Sequence, residues 1–160
     1  MKTTIKFFLL FAGLSVFTQY RAQLTVHKMI YAGYEYQNQS FADVGGRLLF
    51  LTHDNILYRV GAAALMGAVD SEFSVLPKVQ ADILFNFEKN VDFYHSWYFL
   101  AGAEVTNKFI VPKFGISVFG IADVTAGYGF SLEEGGNKGK KFKGLNMGVT
   151  INIPIVVFSH

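Results

Sequence analysis

The chain has 160 residues, a length typical of one domain, and 51% of them are hydrophobic. It has no cysteine, which excludes a disulfide framework, thiolate chemistry and cysteine-based zinc sites. The formal net charge is only +2, and it becomes −1 without Lys2, Lys6 and Arg21. Overall charge therefore gives no support to nucleic-acid binding. No stretch reaches the roughly 18–20 uninterrupted apolar residues of a membrane-spanning helix.

Residues 1–22 are typical of a secretory signal peptide. Two lysines precede the apolar stretch "FFLLFAGLSVF", residues 7–17, which is too short to span a membrane as a mature helix. We predict cleavage after Ala22. Tyr20 is larger than the small residue usual at its position, so an uncleaved anchor remains the alternative. No cysteine follows the apolar stretch, which excludes a lipoprotein anchor.

The rest of the chain alternates between apolar and polar residues with the period of a β-strand, and no segment shows a helical period. We predict eight strands, near 28–37, 42–51, 56–67, 78–88, 96–106, 110–119, 122–132 and 143–153. The division of 113–132 near Gly120 is open to another arrangement. Strands of about ten residues joined by hairpins predict an all-β fold over 23–160, a closed antiparallel up-and-down transmembrane barrel.

The predicted connections differ in length. If the mature N-terminus starts on the periplasmic side, the two longest connections, 68–77 and 133–143, lie outside the cell. Short inner turns are then expected at 52–55 and near Gly120, and the connection 88–96 is longer than such a turn usually is.

Alternation alone does not say which face of each strand points inward. One face carries the polar residues and many glycines, such as Gly33, Gly61 and Gly102, and the other carries bulky aromatic residues without a charge. The interior of an eight-stranded barrel is only just wide enough for side chains. We therefore expect the glycine-rich face inside and the apolar face against lipid.

Aromatic residues on the apolar face gather at two levels of the predicted barrel. With the expected topology, two aromatic girdles flank an aliphatic band, as on a lipid-facing wall. The predicted girdle residues are Phe50, Tyr58, Phe85, Phe87, Trp97 and Phe99 at the inner level and Tyr34, Tyr36, Tyr128 and Phe130 at the outer level.

The signal peptide, the eight alternating strands and segments such as "AGYGFSL" and "LNMGVTINIP" resemble the small eight-stranded outer-membrane β-barrel proteins of Gram-negative bacteria. The resemblance covers about 28–153. It implies a location in the outer membrane, contact with its lipids and insertion by the barrel assembly machinery. Such barrels often end in an aromatic residue, whereas here Ser159 and His160 follow Phe158.

Charged residues on the polar face are the sharpest site candidates. They are Glu35, Asp43, Arg47, Arg59, Asp82, Glu104 and Asp123. Buried charges are costly unless paired, so we expect Arg47 and Arg59 to bridge some of the five acids. An ion gate or proton path is the functional interpretation, and a structural plug that fills the lumen is the alternative.

No catalytic or metal site is expected, and no cofactor. The pair His95 and Ser96 would point to opposite faces of a strand, which prevents proton sharing. The remaining histidines have no ligand spacing. The lysine-rich loop "EEGGNKGKKFK", 133–143, suggests contact with anionic lipopolysaccharide or an extracellular partner, with a solvated hairpin loop as the alternative.

The sequence thus predicts a non-enzymatic outer-membrane β-barrel with a plugged polar lumen and a structural or surface-contact role. Two alternatives remain open. One is a secreted soluble barrel that binds an apolar ligand inside, and the other is a narrow outer-membrane pore.

Overall fold

A computed structural model describes residues 25–53, 55–69, 71–88, 96–132 and 142–155 of the chain. Eight strands follow one another along these residues. They are β1 (Thr25–Gln37), β2 (Ser40–His53), β3 (Ile56–Val69), β4 (Glu72–Asn86), β5 (Trp97–Thr106), β6 (Phe109–Val118), β7 (Ala122–Ser131) and β8 (Gly144–Pro154). The predicted signal peptide lies outside the described residues. Within the described ranges no helix is long and apolar enough to cross a membrane.

The strands form one closed antiparallel barrel in which each strand pairs with its neighbours in the sequence. The barrel closes between the first and last strands, where Met29 pairs with Pro154 and Gln37 with Asn146. This architecture confirms the predicted all-β class and the up-and-down topology with eight strands. Closure gives every strand a hydrogen-bonded neighbour on each side.

The two ends of the barrel are named here by their connections. The upper end holds the β1–β2, β3–β4, β5–β6 and β7–β8 connections, and the lower end holds the other three together with the first residues of β1. At the lower end, Phe119 and Gly120 both have positive φ angles, 54° and 64°. Such a pair matches the tight turns that suit twisted hairpins, and the predicted break near Gly120 falls at this turn.

The connection between β3 and β4 differs from the prediction. Residues 68–77 were expected to form a long loop, but the strands continue until Val69 pairs with Glu72. The period-2 pattern of Phe73, Val75 and Pro77 continues into the expected loop and accounts for the longer strand. Strand β6 also differs slightly from the predicted 110–119, since it begins at Phe109 and ends at Val118. Residues 89–95 and 133–141 of the other two predicted loops lie outside the described residues.

The interior contains two apolar clusters, one near each end. The lower cluster consists of Met29, Leu49, Leu57, Leu84 and Tyr98, with Leu51 packed against it. The upper cluster consists of Phe41, Leu65, Leu76, Phe109, Val111 and Phe142, with Val69 packed against it. On β2, β3 and β4, the charged interior residues lie between the two clusters. Apolar side chains are therefore found above and below the charges on these three strands.

Glycines on the inward face allow neighbouring strands to approach closely. A Cβ atom added to Gly33 would lie 2.4 Å from the carbonyl oxygen of Val149, and one added to Gly115 would lie 2.1 Å from that of Val124. No side chain fits at either position without movement of the backbone. Glycine is therefore required where these neighbouring strands meet closely on the inward face.

Candidate functional site

The structure places all seven predicted charged residues in the interior, with two more cations. The buried charged residues are Glu35, Asp43, Arg47, Arg59, Lys78, Asp82, Glu104, Lys113 and Asp123. Four cations thus face five carboxylates, which leaves a formal charge of −1 in this layer. The layer is called the charged layer below.

The lower half of the charged layer is built around Asp123 on β7. Oδ2 of Asp123 lies 2.8 Å from Nη1 of Arg47 and 3.0 Å from Nη2 of Arg59. Arg59 also reaches Asp82, its direct neighbour on β4, at 3.1 Å. Asn152 donates to Asp123 and accepts from Arg47 at 2.6 Å. Both arginines therefore have carboxylate partners. They share Asp123 on β7, and Arg59 also pairs with Asp82 on β4.

The upper half of the charged layer is built around Lys78 on β4. The Nζ atom of Lys78 donates to Glu35 at 2.8 Å and to Asp43, and lies 3.4 Å from Glu104. Lys113 supplies a second cation, 2.9 Å from Oε2 of Glu104. One lysine thus gathers carboxylates from β1, β2 and β5. Because these strands are not all neighbours, the ion pairs join separate parts of the wall.

Tyr31 links the two halves. The guanidinium carbon of Arg47 lies 3.6 Å from the centre of the Tyr31 ring, a cation–π contact, and the tyrosine hydroxyl donates to Asp43 at 3.2 Å. Lys113 adds a longer contact, 4.0 Å to Asp82. The charged layer is therefore one connected network rather than a set of separate pairs. A buried network of this kind holds its side chains in place, since each group has several partners.

Very little space remains among these side chains. The cavity bordered by Glu35, Lys78, Glu104 and Asp123 has a volume of about 10 Å³. That volume is about the space needed by one water molecule. The charged layer can therefore hold its own ion pairs, but it has no space for a small-molecule ligand.

The predicted girdle residues lie on the outer wall. All ten are on outward positions, and nine of them are classed as exposed, with Phe50 half-buried. At the lower end Phe85 pairs with Phe99, and the rings of Phe87 and Phe99 meet edge to face at 6.3 Å. At the upper end the rings of Tyr128 and Phe130 meet at 5.2 Å. The lower level is therefore continuous from β4 to β5, whereas the upper contact lies within β7.

The sequence interpretation missed Lys78 and Lys113 as members of the charged layer. The signal was present, because Lys78 shares the inward face with Gln80 and Asp82, and Lys113 alternates with Pro112 and Phe114. Both lysines were nevertheless left out of the predicted set of inward charges. Without them, two arginines faced five acids, an imbalance that could itself have prompted a search for further cations.

The other candidate residues do not assemble into a site. His95 lies outside the described residues, and Ser96 is buried next to Asn86, whose Nδ2 donates to it at 3.3 Å. Of the loop 133–143, only the last two residues are described, and Phe142 stacks on Phe109 in the upper cluster. In the described part of the chain, no group of three or more histidine or acidic side chains could hold a metal ion.

No family model matches the chain, and no curated protein matches it.

Proposed function

We propose that the protein is an integral outer-membrane β-barrel without enzymatic activity, exported by the signal peptide predicted at its N-terminus. Its lumen is closed, and its role is structural or one of surface contact through the connections at the upper end. The observation that carries the proposal is the inverted polarity of the barrel: charges inside and apolar side chains outside. Lipids of the outer membrane, including lipopolysaccharide, and the barrel assembly machinery are its proposed partners.

The outer wall supports a lipid environment. Large apolar side chains point outward from every strand, and many of them are about half exposed, such as Val79 at 58% and Ile151 at 55%. Soluble monomers rarely expose contiguous apolar patches of more than a few hundred Å². A belt of this composition would promote aggregation in water, but it matches the apolar band of a transmembrane barrel.

The interior gives less support to the first alternative, a soluble barrel that binds an apolar ligand inside. Such a protein needs an apolar cavity, and ligand pockets usually measure about 300–1,000 Å³. The interior instead contains the charged layer, with a cavity of about 10 Å³ among its side chains. The inner residues of the two apolar clusters are fully packed, with Leu57, Leu65 and Phe109 at 0% exposure.

The same packing argues against the second alternative, a narrow pore. An ion crossing the barrel would have to pass both apolar clusters and separate the ion pairs of Lys78 and Arg47. Breaking buried pairs of this kind costs several kcal/mol each. Planar-bilayer recording of the refolded chain should therefore show no conductance steps, and regular steps would favour the pore.

Cell fractionation tests the location. The full chain, signal peptide included, is expressed in a Gram-negative host, and membranes are washed with alkaline buffer to remove peripheral proteins. We expect the protein in the washed outer-membrane fraction, with a soluble periplasmic protein as the control for leakage. The protein should also migrate differently in detergent gels before and after boiling, because a closed barrel stays folded in detergent until it is heated. Recovery in the periplasmic fraction without detergent would contradict the proposal.

A further inference from the structure

The outer wall of β1, β2 and β3 contains a groove of about 460 Å³. Gly46 lies at its base, directly between Ile30 on β1 and Ala62 on β3. A Cβ atom at Gly46 would meet no heavy atom closer than the Met29 carbonyl oxygen at 3.8 Å. This glycine therefore leaves open space on the wall, unlike the inward glycines, which permit close packing. The groove is also large enough for part of a ligand, since small-molecule sites have similar volumes.

A single cation borders this groove. Lys28 is exposed on the outer wall and pairs with Leu48, which also lines the groove. The outward face was expected to carry no charge, but Lys28 occupies an outward position, alone among the Asp, Glu, Lys and Arg residues within the described strands. It lies near the lower end, three residues after the first residue of β1. An apolar depression and an isolated cation are thus combined at one place on an otherwise uncharged wall.

We propose that this groove binds one anionic phospholipid. An acyl chain lies over Gly46 and Ala62, and the lipid phosphate contacts the ammonium group of Lys28. The inference rests on the proposed membrane location, where acyl chains are the apolar groups available to fill the groove. Lysines near the ends of membrane-spanning segments extend their ammonium group to the interface. The single positive charge there selects an anionic headgroup, because the rest of the described wall has no cation to distinguish lipids.

Spin-labelled lipids test the site in the folded protein. The full-length mature chain is refolded into phosphatidylcholine vesicles with a trace of spin-labelled phosphatidylglycerol or spin-labelled phosphatidylcholine. The motionally restricted fraction of each label measures its association with the barrel. We expect a preference for phosphatidylglycerol, and we expect Lys28→Gln to reduce it about fivefold, the effect of one lysine near a membrane surface. Lys143→Gln, which removes an exposed cation at the upper end, should keep the preference.

A second pair of variants tests the groove. Gly46→Leu fills the depression and should lower the restricted fraction of phosphatidylglycerol, whereas Ala126→Leu on the outward face of β7 should not. A preference that persists in Lys28→Gln, or full restriction in Gly46→Leu, would overturn the inference. The inference would also be overturned if the parent protein can be cross-linked as a dimer and Gly46→Leu abolishes that dimer. A second copy of the chain would then occupy the groove.

Flotation of the same vesicles separates the two proposals. A protein that floats with the vesicles but shows no lipid preference contradicts only the lipid site. A protein that stays in solution contradicts the membrane location and the lipid site together.

Discussion

Arg47 on β2 pairs with Asp123 on β7 across the interior, with 2.8 Å between Nη1 of the arginine and Oδ2 of the aspartate. The residues are 76 positions apart in the sequence and belong to strands that are not neighbours in the barrel. The pair therefore joins two parts of the wall that no backbone hydrogen bond connects. Lys78 does the same for β4 with β1 and β2 through Glu35 and Asp43.

Replacement of Lys78 by methionine should destabilise the barrel strongly. Three carboxylates would lose a shared cation, and an uncompensated buried charge costs about 3–5 kcal/mol. Urea unfolding of the refolded protein, followed by the fluorescence of Trp97, measures the change in free energy. The control Lys143→Met removes an exposed lysine and should shift stability by no more than about 0.5 kcal/mol. Equal stability of both variants would mean that the charged layer contributes little.

Glycine substitutions should differ between the two faces of the wall. Gly33→Ala places a Cβ atom 2.4 Å from the Val149 carbonyl oxygen, so the strands must separate, and overpacking of this kind costs about 1–3 kcal/mol. Gly46→Ala places its Cβ in open space and should be neutral or slightly stabilising. The same urea titration compares them. A larger loss in Gly46→Ala than in Gly33→Ala would contradict close packing at Gly33 and open space at Gly46.

Leucine truncation should distinguish the lower apolar cluster from the outer wall. Leu57 is fully buried in the cluster, so Leu57→Ala should cost about 2–5 kcal/mol through the cavity it creates. Leu145, which is 53% exposed on the outer wall, is the matched position. Leu145→Ala should cost less than about 1 kcal/mol, because lipid tails, which are as apolar as leucine, replace the lost contacts. Comparable losses at both positions in vesicles would indicate that the outer wall is packed against protein.

An arginine on the outer wall should report depth in the bilayer. Ala62→Arg places a charge in the middle of the apolar belt, where it should cost about 2–4 kcal/mol. Val26→Arg lies on the same face but near the lower end of β1, where the cost should fall to about 0–1 kcal/mol. Folding yield in vesicles and urea midpoints measure both. If Ala62→Arg folds as well as the parent, the wall does not face lipid.

Strand number and the inward face could be predicted from the sequence because both depend on local alternation. The positions of Glu35 and Asp82 follow from their neighbours alone. The length of β3 and β4 was underestimated because Asp70, Ser71 and Pro77 are turn-forming residues, although only the middle of that segment turns. The alternation of apolar and polar residues continues through the rest of the segment, and this pattern indicates the longer strands.

The pairing inside the charged layer could not be predicted in the same way. Which acid meets Arg47 depends on the stagger between strands and on closure of β1 against β8. Both are properties of the whole barrel, so the partnership with Asp123 has no local signal. The groove at Gly46 was also missed, since an outward glycine looks in sequence like any other residue of the pattern.

The fluorescence of Trp97 tests the central claim most directly. It is the only tryptophan of the chain, and it points outward at the lower end, 45% exposed. Vesicles are prepared from lipids with bromine atoms either near the glycerol backbone or near the ends of the acyl chains. If the wall faces lipid, both should quench Trp97, and quenching should be stronger from the shallow position, as expected for an interfacial aromatic residue. If neither brominated lipid quenches the emission of Trp97, the result would contradict a membrane-embedded barrel.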